Sequence, residues 1–265
     1  MSYTEVSAEF YAAAKKLLTD STCTKQFNDL IRSTERALNY AEFARSTGIK
    51  YALALANELA ISVDGVKMGP PKLPARILEK AIGRYKGRVH EVSDVCRLRV
   101  ELPDADTVLA LRKLISPRNM NDKGKSFDFS SEFHENWAKK GITLLECEDT
   151  YAHPTETGFM AINNKYKVDL GKGRTQMIEI QFVLRDMVPI YDTTHVYLEN
   201  KRAIIDNAKA QDRLLSKDER ALIKEHDEAA QALHFAGAME YRLLPLRADN
   251  AEHRHYFKPQ LTMAA

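Results

Sequence analysis

Apolar and polar positions alternate along this chain with two different periods, which divide it into helical and extended segments. The first sixty residues repeat apolar side chains at helical spacing. A proline-rich segment, residues 69–74, cannot continue a helix, but Pro74 suits the first turn of a new helix over residues 75–84. Further helices are predicted over residues 104–115, 186–210 and 216–243, the last opened by a capping box.

Extended segments lie mostly in the middle of the chain. Predicted strands cover residues 96–102, 142–146, 159–170 and 176–184, and a glycine-rich turn at 171–174 joins the last two as a hairpin. Between the first two strands, residues 116–140 carry Pro, Asn and Gly and predict a long exposed loop anchored by aromatic side chains.

This pattern predicts an α+β or mixed α/β fold. We expect a central mixed sheet of about five strands flanked by helices, with helical extensions at both ends. The predicted organisation is a helical N-terminal arm over residues 1–64, a central domain over 65–210, and a C-terminal helix and tail over 211–265 packed on the same domain.

Composition narrows the class of protein without naming a function. The chain has 265 residues, 44% of them hydrophobic and 29% charged, which is ordinary for a soluble globular protein. A net charge of +2 indicates no global attraction to nucleic acid or membrane, so phosphate-binding charge would have to be local. The three cysteines lack metal-type spacing, and their odd number argues against a disulfide framework. With no signal-peptide-like or membrane-spanning run, a cytoplasmic site of action is expected, although secretion as an effector without a signal peptide stays open.

Two carboxylates are the main candidates for chemistry. Asp94 precedes the first predicted strand, and Glu179 interrupts an apolar strand on the face that also carries Met177 and Gln181. Two carboxylates on neighbouring strands can hold Mg²⁺, the metal of nucleotide phosphate chemistry. The alternatives are a turn residue for Asp94 and a solvent-facing position for Glu179.

Basic residues accompany these carboxylates. Lys72 lies on the lead-in to the predicted helix over residues 75–84, and Arg76 and Lys80 recur four apart on it. Such a face can bind the phosphates of a triphosphate, or it can be an ordinary solvated helix surface. Lys165 and Lys167 share one face of a later strand, for which protection of a sheet edge is the first interpretation.

Other motifs with a known mechanism do not occur. The chain has no Walker A loop, no Gly-x-Gly-x-x-Gly fingerprint and no His-Glu-x-x-His motif, and it has no credible zinc site. His195 is a weak candidate acid or base, since a histidine on a helix is more often structural.

The chain resembles the synthetase domain of RelA/SpoT-type alarmone synthetases in the order of five short motifs over about residues 65–205. They are Pro71-Lys72, Lys80, Asp94-Val95-Cys96-Arg97-Leu98-Arg99-Val100, Pro154-x-x-x-Gly158-Phe159 and Glu179-Ile180-Gln181. That family transfers pyrophosphate from ATP to the 3′-hydroxyl of a guanine nucleotide. The resemblance therefore implies a Mg²⁺-dependent, ATP-dependent pyrophosphokinase.

The resemblance also implies roles for single residues. Asp94 and Glu179 would hold the Mg²⁺ ion, and Glu179 would also take the proton from the attacking hydroxyl. The implied ATP-phosphate residues are Lys72, Arg76 and Lys80, with Arg99 supporting them. On the acceptor side, Phe159 would stack on the base with Gln181 beside it, and Asn163 stands where the family has a histidine.

Several positions depart from the family pattern, mostly on the acceptor side. The residues that differ are Pro70, Arg97, Thr155, Phe159, Ala161-Ile162-Asn163 and Val183-Leu184. The donor-side lysines and both carboxylates are kept, so the acceptor is left open between a guanine nucleotide, an adenine nucleotide and an RNA 3′ end, as in toxic small members of the family. An antitoxin or immunity protein, or a second copy of the chain, is an expected partner; DNA and membrane are not. No His-Asp hydrolase segment precedes the motifs, so no alarmone hydrolase is expected.

Two other functions fit the same residues. The chain can be a catalytically inactive module that binds a nucleotide or RNA and regulates a partner. It can also be a nucleotidyltransferase that moves a nucleoside monophosphate and releases pyrophosphate. The leaving group separates the latter from a pyrophosphokinase, because only pyrophosphate transfer releases AMP.

Overall fold

Helices and strands alternate in the computed structural model, which describes residues 24–62, 65–69, 72–121, 123–241 and 243. The helices are α1 Thr24–Glu58, α2 Pro74–Tyr85, α3 Ala105–Ile115, α4 Glu132–Ala138, α5 Val188–Ala210 and α6 Lys217–Glu240. The strands are β1 Val66–Met68, β2 Arg97–Leu102, β3 Pro117–Arg118, β4 Lys125–Ser126, β5 Asp128–Phe129, β6 Ile142–Asp149, β7 Ile162–Asp169 and β8 Thr175–Leu184. The predicted structure of residues 1–23 and of the tail from residue 244 lies outside the described residues.

Six of the strands form one mixed sheet, in the order β1-β2-β8-β7-β6-β4. Strand β2 runs parallel to β8, whereas β1 pairs with β2, β7 with β8, and β4 with β6 in antiparallel fashion. The short strands β3 and β5 form a separate antiparallel pair. The predicted mixed α/β class is confirmed, with six strands in the main sheet where about five were expected.

Alternation within the strands separates a buried face from a polar one. Every second residue of β2 is buried, and the same alternation holds through most of β8. Helix α1 packs closely on the buried face at Gly48, where a Cβ atom would lie 2.8 Å from Cδ1 of Ile178 and 3.1 Å from Cδ1 of Leu98. A larger residue at position 48 would therefore push α1 away from the sheet.

The chain divides into two compact units. Unit one comprises residues 1–121, 125–148 and 162–185, and unit two comprises residues 122–124, 149–161 and 186–265. Helix α1 thus belongs with the sheet, and α5 and α6 belong together. The sequence predicted three parts along the chain, and this organisation stays a prediction. The two compact units are each built from separate stretches of the chain.

Helices α5 and α6 are the long helices of unit two. The predicted capping box is present at the start of α6, where Ser216 Oγ accepts a hydrogen bond from the Glu219 backbone N–H and the Glu219 side chain accepts one from Ser216 N–H. Lys201 on α5 pairs with Asp227 on α6 at 2.7 Å. No helix in the described part of the chain is long and apolar enough to cross a membrane.

The helical spacing predicted for the first sixty residues is confirmed over α1, which is one continuous helix. Two local predictions were wrong. Residues 116–140 are not a long loop, since they contain β3, β4, β5 and α4. Strand β7 lies between β8 and β6, so Lys165 and Lys167 do not protect a sheet edge.

Candidate functional site

Asp94 lies at the start of β2, where two lysines meet its carboxylate. It belongs to a short 3₁₀ turn, Ser93–Val95, that leads into the strand. Lys80 on α2 places its Nζ 2.8 Å from Oδ2 of Asp94, and Lys72 Nζ contacts the same oxygen. Pro74 at the first position of α2 fixes the turn between the two lysines. Local structure therefore brings both predicted phosphate-binding lysines to one carboxylate oxygen.

The two oxygens of Asp94 differ in their surroundings. Burial on its own would raise the pKa of Asp94, but the bonds from Lys72 and Lys80 outweigh it and hold the pKa below its usual value. Asp94 therefore stays ionised at neutral pH. Its Oδ1 atom is buried and has no hydrogen-bond partner among the described residues. A buried carboxylate oxygen without a donor is unfavourable, so this atom can accept a cation or a donor from a ligand.

Glu179 lies in the middle of the sheet, on the strand next to β2. Its registered neighbours are Arg97 on β2 and Lys165 on β7. Gln181 Nε2 donates a hydrogen bond of 3.1 Å to Oε1 of Glu179. Burial and the negative charge of Asp94 raise the pKa of Glu179, against the opposing charges of three nearby cations. The predicted face of the strand that carries Glu179 is confirmed. The carboxylates of Glu179 and Asp94 interact electrostatically.

Three further predicted residues form the adjacent row of the sheet. Arg99 on β2, Gln181 on β8 and Asn163 on β7 are registered partners across the three strands. The Oδ1 atom of Asn163 is buried without a partner among the described residues, as is that of Asp94. The row next to Glu179 thus offers one cation and two amides to a ligand.

Arg76 and Phe159, which are also predicted site residues, contact residues outside this cluster. Arg76 Nη1 lies 2.8 Å from Oε2 of Glu79 on the same helix. Phe159 belongs to unit two, where its ring lies 4.8 Å from the ring of Tyr191 and 6.2 Å from that of His234. The binding roles predicted for both residues stay predictions.

The structure adds a charged ladder that the sequence did not reveal. Glu146 on β6 accepts from Lys165 on β7 at 2.8 Å and from Lys125 on β4 at 3.0 Å, and Lys125 also lies 3.2 Å from Glu148. Burial would raise the pKa of Glu146, but the two lysines together lower it. Only the strand order places these residues beside Glu179, so no spacing in the sequence could have indicated them.

Asp94 and Glu179 can supply carboxylate ligands to a divalent cation. No group of three or more His, Cys, Asp or Glu side chains in the described ranges is arranged to hold a metal ion. However, Mg²⁺ is often bound by one or two carboxylates, with phosphates and water completing its shell. A divalent cation would give the partnerless Oδ1 of Asp94 a ligand and would offset the charge repulsion between Asp94 and Glu179.

Comparison with known proteins returned solved structures only. No protein-family model matches the chain, and no curated protein matches it either. Small alarmone synthetase 1 from Bacillus subtilis is 16% identical, with 80% of this chain and 97% of that chain covered and a TM-score of 0.44. Small alarmone synthetase 2 from Bacillus subtilis is 14% identical, with coverages of 82% and 98% and a TM-score of 0.46.

A further match is a type VI effector in complex with its immunity protein. It is 16% identical, with 78% of this chain and 97% of that chain covered and a TM-score of 0.46. The first two matches are alarmone synthetases, the class of protein that the sequence motifs resemble. At these identities and TM-scores, the likeness assigns no role to any residue of this chain.

Proposed function

We propose that this chain is an ATP-dependent pyrophosphokinase that transfers pyrophosphate to a 3′-hydroxyl of a nucleotide or of an RNA. The observation that supports the proposal best is the cluster of Lys72, Lys80, Asp94 and Glu179 beside the paired strands β2 and β8. It combines cations for phosphates, an ionised carboxylate, and a second carboxylate with a raised pKa.

Each residue in this cluster has a task in the proposed reaction. Lys72 and Lys80 would bind the ATP phosphates, because ammonium groups on flexible stems bind phosphate oxygens well. Asp94 and Glu179 would hold Mg²⁺, which when bound would neutralise phosphate charge. Glu179 would also accept the proton of the attacking hydroxyl, since a positioned carboxylate can act as a general base.

The proposed step balances without any further reactant. The 3′-oxygen of the acceptor attacks the β-phosphorus of ATP, and a new oxygen–phosphorus bond forms there. The bond between the β-phosphorus and the bridging oxygen to the α-phosphate breaks, so AMP leaves. The hydroxyl proton passes to Glu179. Such a transfer depends mostly on positioning and electrostatic stabilisation, which charged groups on a rigid sheet can supply.

The acceptor side supports a nucleotide without naming its base. Arg99, Gln181 and Asn163 lie in the row beside Glu179 and provide a cation and two amides. Guanine and adenine nucleotides and an RNA 3′ end are the acceptors to compare. The matched structures include a small alarmone synthetase bound to pppGpp and an effector with its immunity protein, so an immunity protein is a proposed partner of this chain. The proposed site of action is the cytoplasm, where ATP is abundant.

Release of AMP tests the proposal. The purified chain is incubated with ATP, Mg²⁺ and each acceptor in turn, and AMP is quantified. We expect Glu179→Gln and Asp94→Asn each to lower the rate by at least about 10²-fold, since each removes a charge used in the transition state. Glu101→Gln is the matched control, because Glu101 lies on the polar face of β2 with Arg97 and Arg99. Its side chain is also similarly shielded, with 15% exposed against 13% for Asp94.

Three results would contradict this function. AMP release that is unchanged in both carboxylate variants would separate the activity from this cluster. Saturable nucleotide binding without turnover for every acceptor would instead identify a non-catalytic binding module. Pyrophosphate in place of AMP as the leaving group would identify a nucleotidyltransferase.

A further inference from the structure

Lys72 and Lys80 occupy one of the two oxygens through which Asp94 can bind a metal. Both ammonium groups contact Oδ2, and Lys80 lies at 2.8 Å. The three side chains are all mostly shielded from solvent, with 25%, 21% and 13% of Lys72, Lys80 and Asp94 exposed. The carboxylate that would bind a cation is therefore already neutralised by two cations of the chain itself.

We propose that these two lysines keep a free divalent cation off Asp94 and yield the carboxylate only when a nucleoside triphosphate arrives. The protein without nucleotide would then have little affinity for the ion alone. This inference rests on the proposed function, because it assigns Asp94 to a metal and the lysines to phosphates.

A free cation is disfavoured for an electrostatic reason. A divalent ion at Asp94 would lie within a few ångströms of two ammonium groups, where the repulsion between like charges is strong in a partly buried site. To bind at Oδ2 it would have to displace both lysines from their carboxylate partner, which is costly for charges that are mostly shielded from solvent. With Oδ2 occupied, Asp94 offers the ion only its Oδ1 atom.

A triphosphate removes this obstacle. Its oxygens provide several acceptors for ammonium groups, and lysine stems are long enough to move to them. Once the lysines leave, Asp94 is a buried carboxylate without donors on either oxygen, which is unfavourable until a cation binds. Nucleotide binding therefore favours metal binding. By thermodynamic reciprocity, the metal raises the affinity for the nucleotide by the same factor.

Mn²⁺ binding measured by electron paramagnetic resonance tests this coupling without relying on turnover. The free Mn²⁺ signal is titrated with the full-length protein, with and without α,β-methylene-ATP, whose blocked bond prevents transfer. A parallel titration without protein accounts for Mn²⁺ bound to the analogue alone. We expect the analogue to tighten Mn²⁺ binding by the wild-type protein by roughly 5- to 150-fold, the usual range of coupling between two ligands.

Substitutions of Lys80 separate charge from packing. Lys80→Met is expected to tighten the binding of Mn²⁺ alone by about tenfold and to weaken binding of the analogue, so that the coupling shrinks. Lys80→Arg retains the charge and should behave as the wild type does towards Mn²⁺ alone. Lys201→Met is the matched control, because Lys201 is 26% exposed and also pairs with a carboxylate, Asp227. Should Lys80→Met fail to fold, Lys72→Met makes the same test.

The outcomes distinguish this inference from the proposed function. Tight Mn²⁺ binding by the wild type that does not depend on the analogue overturns the inference and leaves the pyrophosphokinase proposal standing. Unchanged or weaker Mn²⁺ affinity in Lys80→Met also overturns it. If the wild type does not bind Mn²⁺ in the presence of the analogue, both the inference and the pyrophosphokinase proposal are overturned. Both proposals also require that Asp94→Asn lose Mn²⁺ binding.

Discussion

His134 on α4 lies at the end of a buried hydrogen-bond chain, and burial keeps its ring neutral. Asn164 Nδ2 donates to the hydroxyl of Tyr166 at 2.9 Å, Tyr166 and Tyr51 share a bond of 3.1 Å, and Tyr51 lies 2.9 Å from Nδ1 of His134. The two tyrosine hydroxyls can each donate or accept, so the chain is satisfied with the ring proton on either nitrogen of His134.

Acidification should destabilise the fold through this histidine. Burial lowers the pKa of His134 to about 4. Because the unfolded chain has a histidine pKa of about 6.5, it binds the proton more tightly than the folded state does. The free energy of unfolding therefore falls as the pH is lowered from about 6.5 to about 4. The full effect is about 3 kcal/mol, of which about 2 kcal/mol is lost between about pH 7.5 and about pH 5.

Urea unfolding at a series of pH values measures this effect. His134→Asn is the informative variant, since the Asn amide can still form a hydrogen bond with Tyr51 but does not titrate. It should be less stable than the wild type at neutral pH and should lack about 2 kcal/mol of the wild-type loss between about pH 7.5 and about pH 5. His195→Asn is the control, because His195 is 59% exposed and should leave the pH dependence unchanged. Equal pH dependence in the wild type and His134→Asn would refute the buried, neutral histidine.

Two further predictions concern unit two, and thermal unfolding measures both. A Cβ atom at Gly237 would lie 2.3 Å from Cδ1 of Ile190 and 2.7 Å from Sδ of Met187, so Gly237→Val should destabilise the fold by about 1–3 kcal/mol. The control is Ala221→Val at an exposed site of the same helix, which should cost under about 1 kcal/mol. Equal costs for the two variants would contradict the close packing at Gly237. Ser216→Ala removes the cap of α6 and should cost about 1 kcal/mol, and an unchanged midpoint would show that the capping box does not contribute.

Periodicity predicted the parts of the site that lie on single elements. The alternation around Glu179 placed it with Gln181 on the polar face of a strand, and the structure confirms this. The four-residue spacing of the α2 cations and the proline before them predicted the helix that carries Lys80. These predictions succeeded because the side-chain direction within one helix or strand follows from its period alone.

Contacts between elements that are distant in sequence could not be predicted in this way. Lys165 was interpreted as a residue of a sheet edge, yet β7 is an interior strand and Lys165 pairs with Glu146. Strand order and register decide such contacts, and neither is encoded in local spacing. The segment 116–140 was misassigned for a related reason, since its strands have two residues each and are too short to show a period.

The central claim is that Asp94 and Glu179 support transfer of pyrophosphate and not of a nucleoside monophosphate. The most direct measurement follows two labels in parallel reactions, with ATP labelled at the α-phosphate in one and at the γ-phosphate in the other. We expect the α-label to appear in AMP and the γ-label in the acceptor, and Glu179→Gln to abolish both. Appearance of the α-label in the acceptor, or γ-label transfer that persists in Glu179→Gln, would contradict it.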